Sequence, residues 1–322
     1  MTDNNQSRNL ALEFVRVTEA AAIAASAWIG RGDKIAADGA AVNEMRSRFN
    51  QIAFNGTVVI GEGLKDEAPM LYTGERVGTG QGPAMDLAID PLECTDSVAF
   101  GRYNALAVIA AGAKDSLLHA PDTYMEKIAC GPAAAKVIDL DAPAKDNILK
   151  VAKALGKDKE EITVVILDRE RHQELINEIR SIGARVRLIT DGDVAGAIAP
   201  SLNETGIDLL MGIGASAESV LAATAIKILG GQILARFAPQ KEAHTKLLHE
   251  SGITNIGKIY TVDDLAKGRD LTFTATGVID GPLLNGVIVK GNQIITHSLV
   301  IRGISGTLRF ITTYHHYNQL KK

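Results

Sequence analysis

Met85-Asp86-Leu87-Ala88-Ile89-Asp90-Pro91-Leu92-Glu93-Cys94-Thr95-Asp96 is the stretch on which the reading of this chain turns. Met85 to Ile89 is a short apolar run of the kind that forms a buried strand, so Asp90 is expected where that strand ends. Pro91 has no N–H to donate and is expected to stop the ladder. Thr95 and Asp96 suit the cap of a short helix, whose free N–H groups would face whatever the carboxylates of Asp90 and Glu93 hold. Carboxylates beside a helix N-terminus suit a divalent cation that bridges to phosphate. An Asx-type turn with solvated acids accounts for the same residues equally well.

Working outward, other acids recur at expected element ends. A helix is predicted over residues 9–29, stopped by Gly30, and a second over about 40–50. Between them lie Gly30-Arg31-Gly32-Asp33-Lys34 and Ala36-Ala37-Asp38-Gly39-Ala40, read as turns. Thr57-Val58-Val59-Ile60 reads as a strand ending in Gly61-Glu62-Gly63-Leu64-Lys65-Asp66-Glu67. Glycines on both sides of Glu62 let a ligand approach the backbone. Asp38, Glu62, Asp66, Asp90 and Glu93 are thus all expected in turns, a repetition that scattered surface acids have no reason to show.

The second half alternates strand and helix. Strands are read at 162–167, 185–190 and 207–211, with helices at 171–182, from Val194, and at 218–229, which predicts an α/β fold with a parallel sheet and right-handed crossovers. Ligands of such sheets sit beyond the carboxyl ends of the strands. The residues expected there are Asp168-Arg169-Glu170-Arg171, Asp191-Gly192-Asp193 and Gly212 to Glu218, whose arginines suit phosphate and whose Glu218 suits a metal. Short β-like runs follow between 271 and 317. The Ala-, Pro- and Asp-rich stretch 132–147 is the candidate boundary between halves 1–145 and 146–322, expected to form one compact unit.

Composition excludes several classes. Hydrophobic residues make up 46% of the 322 and charged residues 22%, normal for a protein with a sizeable core, while aromatics are only 4%. A net charge of −4 leaves no basic face for nucleic acid. Cys94 and Cys130 are too few and too far apart for a disulfide scaffold or zinc ribbon. The N-terminus has no signal pattern, and the apolar run 20–29 is too short to cross a bilayer, so a cytoplasmic location is expected.

Two other classes compete with a metal phosphatase. Gly212-Ile213-Gly214-Ala215-Ser216-Ala217 fits a loose dinucleotide pattern, the mark of a nicotinamide-dependent oxidoreductase, although the strand 232–237 ends in Ala238-Pro239-Gln240-Lys241 with no acid for a ribose. A non-catalytic sugar-phosphate-binding regulator would need the arginine loops but not the acids. The seven histidines lack metal-ligand spacing and are read as structural, His315 and His316 pointing to opposite faces of one strand.

Asp90-Pro91-Leu92-Glu93-Cys94-Thr95 resembles the Asp-Pro-Ile-Asp/Glu-Gly-Thr signature of the lithium-sensitive, metal-dependent sugar and inositol phosphatases. Gly30 to Val42, Val59 to Leu71, Ala120-Pro121-Asp122-Thr123-Tyr124-Met125 and Asp191-Gly192-Asp193-Val194 look specifically like bacterial class II fructose-1,6-bisphosphatase. The resemblance runs from about residue 9 to about 315. It implies hydrolysis of the 1-phosphate of fructose 1,6-bisphosphate, a gluconeogenic step, with Mn²⁺ or Mg²⁺, and in some relatives of sedoheptulose 1,7-bisphosphate. A related sugar or inositol monophosphatase is the alternative within the same superfamily. Carried over by position, the metal ligands are Asp38, Glu62, Asp90, Glu93 and Glu218. Substrate contacts fall on Glu93, Cys94, Thr95, Tyr124, Arg169, Glu170, Arg171, Asp191, Gly192, Asp193 and Ala215, and catalysis on Asp66 and Thr95. The implied fold is the layered α-β-α-β-α arrangement, and the implied assembly a homo-oligomer, tetramer or dimer. Two departures stand out. Cys94 replaces the signature glycine, and Ala215-Ser216-Ala217-Glu218-Ser219 replaces the family's Gly-Ala-Pro-Glu-Gly.

Overall fold

The computed structural model describes residues 7–62 and 71–316. Asp66 therefore lies outside the described residues. In chain order the elements are α1 (Ser7–Ser26), α2 (Lys34–Phe49), β1 (Asn55–Ile60), β2 (Arg76–Val77), β3 (Ala84–Glu93), α3 (Thr95–Phe100), β4 (Ala105–Ala113), β5 (Tyr124–Cys130), α4 (Ala144–Leu155), β6 (Thr163–Leu167), α5 (Gln173–Ser181), β7 (Arg185–Ile189), α6 (Val194–Ile198), β8 (Leu209–Ala215), α7 (Ser216–Leu229), β9 (Gln232–Phe237), α8 (Glu242–Glu250), α9 (Val262–Leu265), β10 (Leu271–Ile279), β11 (Ile288–Lys290), β12 (Gln293–Arg302) and β13 (Thr307–His316). They form two compact units, Met1–Leu117 with Gly268–Lys322, and Leu118–Lys267. The chain leaves the first unit after Leu117 and returns at Gly268, because β10 of the C-terminal tail pairs with β4 and the later strands extend the sheet from β10. The stretch 132–147 lies inside the second unit, where it leads into α4.

The first unit is a mixed sheet in the order β11-β12-β10-β4-β3-β1-β2, with β13 on the far side of β12. Only β1 and β3 run parallel; the other described pairs are antiparallel. Helix α1 sets Phe14, Val17, Ala21, Ala22 and Ala25 at helical spacing into the same core as Met45 and Phe49 of α2. Phe14, Phe49 and Phe54 meet there with ring centroids 5.5–6.0 Å apart. Each such pair contributes about 0.5–1.5 kcal/mol beyond area burial, which concentrates a scarce aromatic content at one junction.

Three local expectations change here, each for a visible reason. Helix α2 starts at Lys34, well before residue 40, because the Asp33 side chain accepts the amide of Ala36 at 2.9 Å and caps it. Asp38 is consequently a helical residue and not a turn residue. Strand β3 continues through Pro91 to Glu93. A register shift against β4 between Asp90 and Glu93 leaves Pro91 and Leu92 outside the ladder, so the missing N–H costs nothing. Finally, Thr95 is the first residue of α3 and the capping position belongs to Cys94, which makes no side-chain cap.

The second unit is a sheet in the order β7-β6-β8-β5-β9. Strands β7, β6 and β8 are parallel, as the βαβ alternation predicts, but β5 is antiparallel to both β8 and β9, so the sheet is mixed. Residues of α4 and α5 (Ile148, Val151, Ile176, Ile179) pack with Ile128, Val164, Ile166 and Leu209 on one face. Helix α6 lies on the other face, where Gly196 approaches Val165 and Leu210. Strand β5 escapes the sequence pattern because Lys127 occupies an inward position between Met125 and Ala129. Strand β8 likewise runs on through Gly212 to Ala215, so these glycines are ladder residues rather than a loop.

Candidate active site

In the first unit the acids converge on Asp90. Its carboxyl is pushed well above the ordinary range, first by burial and then by Glu62, Glu93 and Asp38, with the Leu92 amide opposing at 3.1 Å. Among the described residues the charged neighbours that shift Asp90 are all carboxylates. Asp38 is also raised, to about 6, by burial, and its Oδ1 is buried with no hydrogen-bond partner among the described residues. Glu93 is 1% exposed at the last position of β3. Glu62 lies two residues past the end of β1, its amide donating to Leu71 O at 3.0 Å. The sequence-predicted ligands of this unit are thus brought together, although from a helix, a strand interior, a strand end and a loop.

Such a set needs relief of its mutual repulsion. Repulsion among buried acids is relieved either by protonation or by a divalent ion, and all-oxygen donors suit a hard one. Among the described residues no three His, Cys, Asp or Glu side chains are already drawn around one point. The fit therefore rests on the gathering of carboxylates around Asp90 and, among the described residues, on the unsatisfied Asp38 oxygen. Lys34, one helical turn before Asp38 on α2, is exposed and paired with Asp96 at 3.4 Å.

In the second unit, functional side chains gather where β8 ends and α7 begins. Tyr124 and Ala215 are directly paired across β5 and β8. The Arg171 guanidinium lies 5.3 Å from the Tyr124 ring centroid and donates to Ile213 O at 2.7 Å. Arg169 pairs with Asp191 and donates to Thr190 O. Among the described residues Arg171 has no ion pair, so its charge is the one left for an anion. Glu218, in the first turn of α7, accepts the Ala215 amide at 3.2 Å. Glu170 is exposed, and Gly192 takes the left-handed conformation with φ 59°.

Three residues that the sequence did not single out hold this edge together. Lys127 Nζ, 1% exposed, contacts both oxygens of Asp193 at 2.9 and 2.8 Å, Ala215 O at 3.0 Å and Glu218 Oε2 at 3.9 Å. His172 Nδ1 lies 2.7 Å from Leu167 O, and its Nε2 accepts the Ile213 amide at 2.8 Å. Burial lowers its pKa, which favours the neutral ring that this pattern requires. Ser216 donates to Pro121 O at 2.6 Å and accepts the Thr123 amide, fixing the entry to β5. A lysine sharing a strand face with Met125 and Ala129 was the available signal for the first; the other two had none.

The glycines of the apparent dinucleotide pattern are explained by the same contacts. A Cβ at Gly214 would lie 1.9 Å from Asp193 Oδ2, and one at Gly212 would lie 3.0 Å from His172 Nε2. They make room for side chains rather than for a pyrophosphate.

The family described as bacterial fructose-1,6-bisphosphatase, glpX-encoded, matches residues 8–315. This chain belongs to that family. It is 45% identical over 324 residues to fructose-1,6-bisphosphatase 1 class 2 of Escherichia coli K12, covering 97% of this chain and 96% of that protein. The class 2 fructose-1,6-bisphosphatases of Escherichia coli O6:H1 and Shigella flexneri show the same identity and coverage. The family is metal-dependent in general, in keeping with the acids around Asp90.

Cys94 is the position where this member departs most visibly from the family signature. It adopts φ 74° and ψ 52°, left-handed backbone that favours glycine. Its Sγ accepts from Asn104 Nδ2 at 3.7 Å, and its side chain packs against the core of the first unit. Cys94→Gly is expected to leave the melting temperature unchanged or higher, relief of ~1–2 kcal/mol of left-handed strain offsetting the lost contact. Cys94→Val should lower it, because β-branching is worst tolerated there. Thermal unfolding of both variants checks the order, and a destabilised Cys94→Gly would show that sulfur packing outweighs strain.

Proposed function

We propose that this chain hydrolyses the 1-phosphate of fructose 1,6-bisphosphate, giving fructose 6-phosphate and inorganic phosphate, with Mn²⁺ or Mg²⁺ bound. The observation that carries the reading is the gathering of Asp38, Glu62 and Glu93 around the buried Asp90 in a chain of this family. The residues that the resemblance gives as ligands, Asp38, Glu62, Asp90, Glu93 and Glu218, would hold the ions. Bound cations would supply neutralisation of charge building on the phosphoryl oxygens and acidification of a water.

The residues then divide the work. Asp66 accepts a proton from Thr95 or from the attacking water, making that pair the general base. Thr95 is half-buried at the start of α3, directly after Glu93 and Cys94. Arg171 takes the phosphate that is not cleaved, while Arg169, offset by Asp191, shapes the loop that presents it. Glu170, Asp191, Gly192, Tyr124 and Ala215 contribute further sugar and phosphate contacts. A homo-oligomer, dimer or tetramer, and a cytoplasmic location complete the reading. Among the described residues no helix is long and apolar enough to cross a membrane.

Phosphate release from a panel of sugar bisphosphates and inositol phosphates, with Mn²⁺, Mg²⁺ or chelator, tests the proposal. Preference for fructose 1,6-bisphosphate and loss of turnover in chelator are expected; binding without metal-dependent turnover would instead mark a regulator. Arg171→Ala should raise KM for the bisphosphate by ~10-fold or more with a smaller fall in kcat, because a distal phosphate is held equally in ground and transition states. A fall in kcat at unchanged KM would overturn that role.

A further inference from the structure

Asp193 begins α6 with its side chain turned inward, 2% exposed, and both of its oxygens lie on the ammonium of Lys127. Lys127 is itself sealed in the sheet. A buried carboxylate would ordinarily draw the nearest guanidinium to it, and Asp193 and Glu218 are both among the charged neighbours that bear on Arg171. Among the described residues Arg171 nevertheless has no ion pair, and it contacts Ile213 O and the Tyr124 ring. The charge that would have engaged it is already satisfied by Lys127. Strand β8 is built to permit this, since Gly214 is the residue whose Cβ would collide with Asp193 and come within 3.0 Å of Lys127 Nζ.

We propose that Lys127 is a positioning residue for substrate binding, which neutralises Asp193 and so keeps the guanidinium of Arg171 available to a substrate phosphate. This rests on the reading of Arg171 as the holder of the uncleaved phosphate. Asp193, which the resemblance places among the substrate contacts, on this reading serves binding by charge balance inside the sheet, through its pair with Lys127. At this edge of the second unit Lys127 is internally satisfied, Arg169 is offset by Asp191, and Arg171 is kept for the ligand. The lysine's contact with Ala215 O also ties this balance to the first turn of α7 that carries Glu218.

The test compares wild type, Lys127→Met and the double variant Lys127→Met/Asp193→Asn, with fructose 1,6-bisphosphate and Mn²⁺. KM and kcat are measured by phosphate release, and affinity by calorimetric titration of the same bisphosphate. Lys127→Met leaves a carboxylate uncompensated beside Arg171 and is expected to raise KM and Kd by ~10-fold or more, since breaking a buried charge pair is expensive chiefly through the charge left behind. The double variant removes that charge and should return both to within ~3-fold of wild type. Rescue by deleting a second group is not what a merely structural lysine would show. Equal KM and Kd in wild type and Lys127→Met would overturn the proposal, as would a double variant no better than the single one. Where Lys127→Met does not fold, Lys127→Gln, which keeps a donor but not the charge, takes its place with the same expectations. Absence of turnover by the wild type would refute the phosphatase reading alone, because the affinity ratios still decide the role of Lys127.

Discussion

Asparagine in place of Asp90 is expected to cut metal-dependent phosphate release by at least ~10²-fold while raising the melting temperature of the metal-free protein, the two effects having one cause. Asp90 is buried among Glu62, Glu93 and Asp38, and all of them push its carboxyl toward protonation. Without a cation, its charge is a liability to the fold. With one, the same charge is a ligand. An amide oxygen can still accept the Leu92 N–H, so the local turn after Asp90 survives the substitution. Glu62→Gln should lower activity in the same way. Residual activity above about a tenth of wild type, or a metal-free Asp90→Asn protein less stable than wild type, would remove Asp90 from the proposed ligand set. Activity assays with Mn²⁺ and unfolding scans in chelator read the two halves separately.

The second expected result is a pH dependence of metal-free stability traceable to Asp38. Its pKa rises from an ordinary 3.8 to about 6 on folding, through burial. Between those values the native state binds more protons than the unfolded state, so stability falls as pH rises. The stabilisation is complete below the unfolded value and is lost as pH climbs through about 6. The shift corresponds to at most about 3 kcal/mol, reduced by the solvent that still reaches a half-buried side chain. The expectation is therefore that Asp38→Asn gains stability over wild type in chelator at pH 7.5 and gains little at pH 4.5. Added Mn²⁺ should raise the wild-type melting temperature more at pH 7.5 than at pH 4.5, and should do less for the variant. A difference between wild type and Asp38→Asn that does not change with pH would show that this carboxyl is not the one strained by burial.

Much of the second unit was legible in the sequence because its order is local. Strands β6, β7 and β8 and their helices each announce themselves by an apolar run or a helical stripe, and parallel pairing follows from the alternation. The acids of the first unit were legible for a different reason, since hard-cation chemistry demands carboxylates that no core would otherwise tolerate. What the sequence could not carry were relations between distant residues. The passage of β3 through Pro91 depends on the register of β4, and the place of the C-terminal strands depends on pairing across more than 150 residues, as between Ala110 and Phe273. The direction of β5 was hidden for the same reason: a strand with a lysine at its centre reads as loop until the partner of that lysine is known. Periodicity determined the fold class, and the motifs around Asp90, Tyr124 and Asp191 carried the resemblance to the family. Only the tertiary structure decided that Gly214 makes room for an ion pair, that Asp193 faces inward, and that Arg171 is the cation left over. Charge balance inside a sheet is set by neighbours distant in the chain, and a linear pattern holds no record of them.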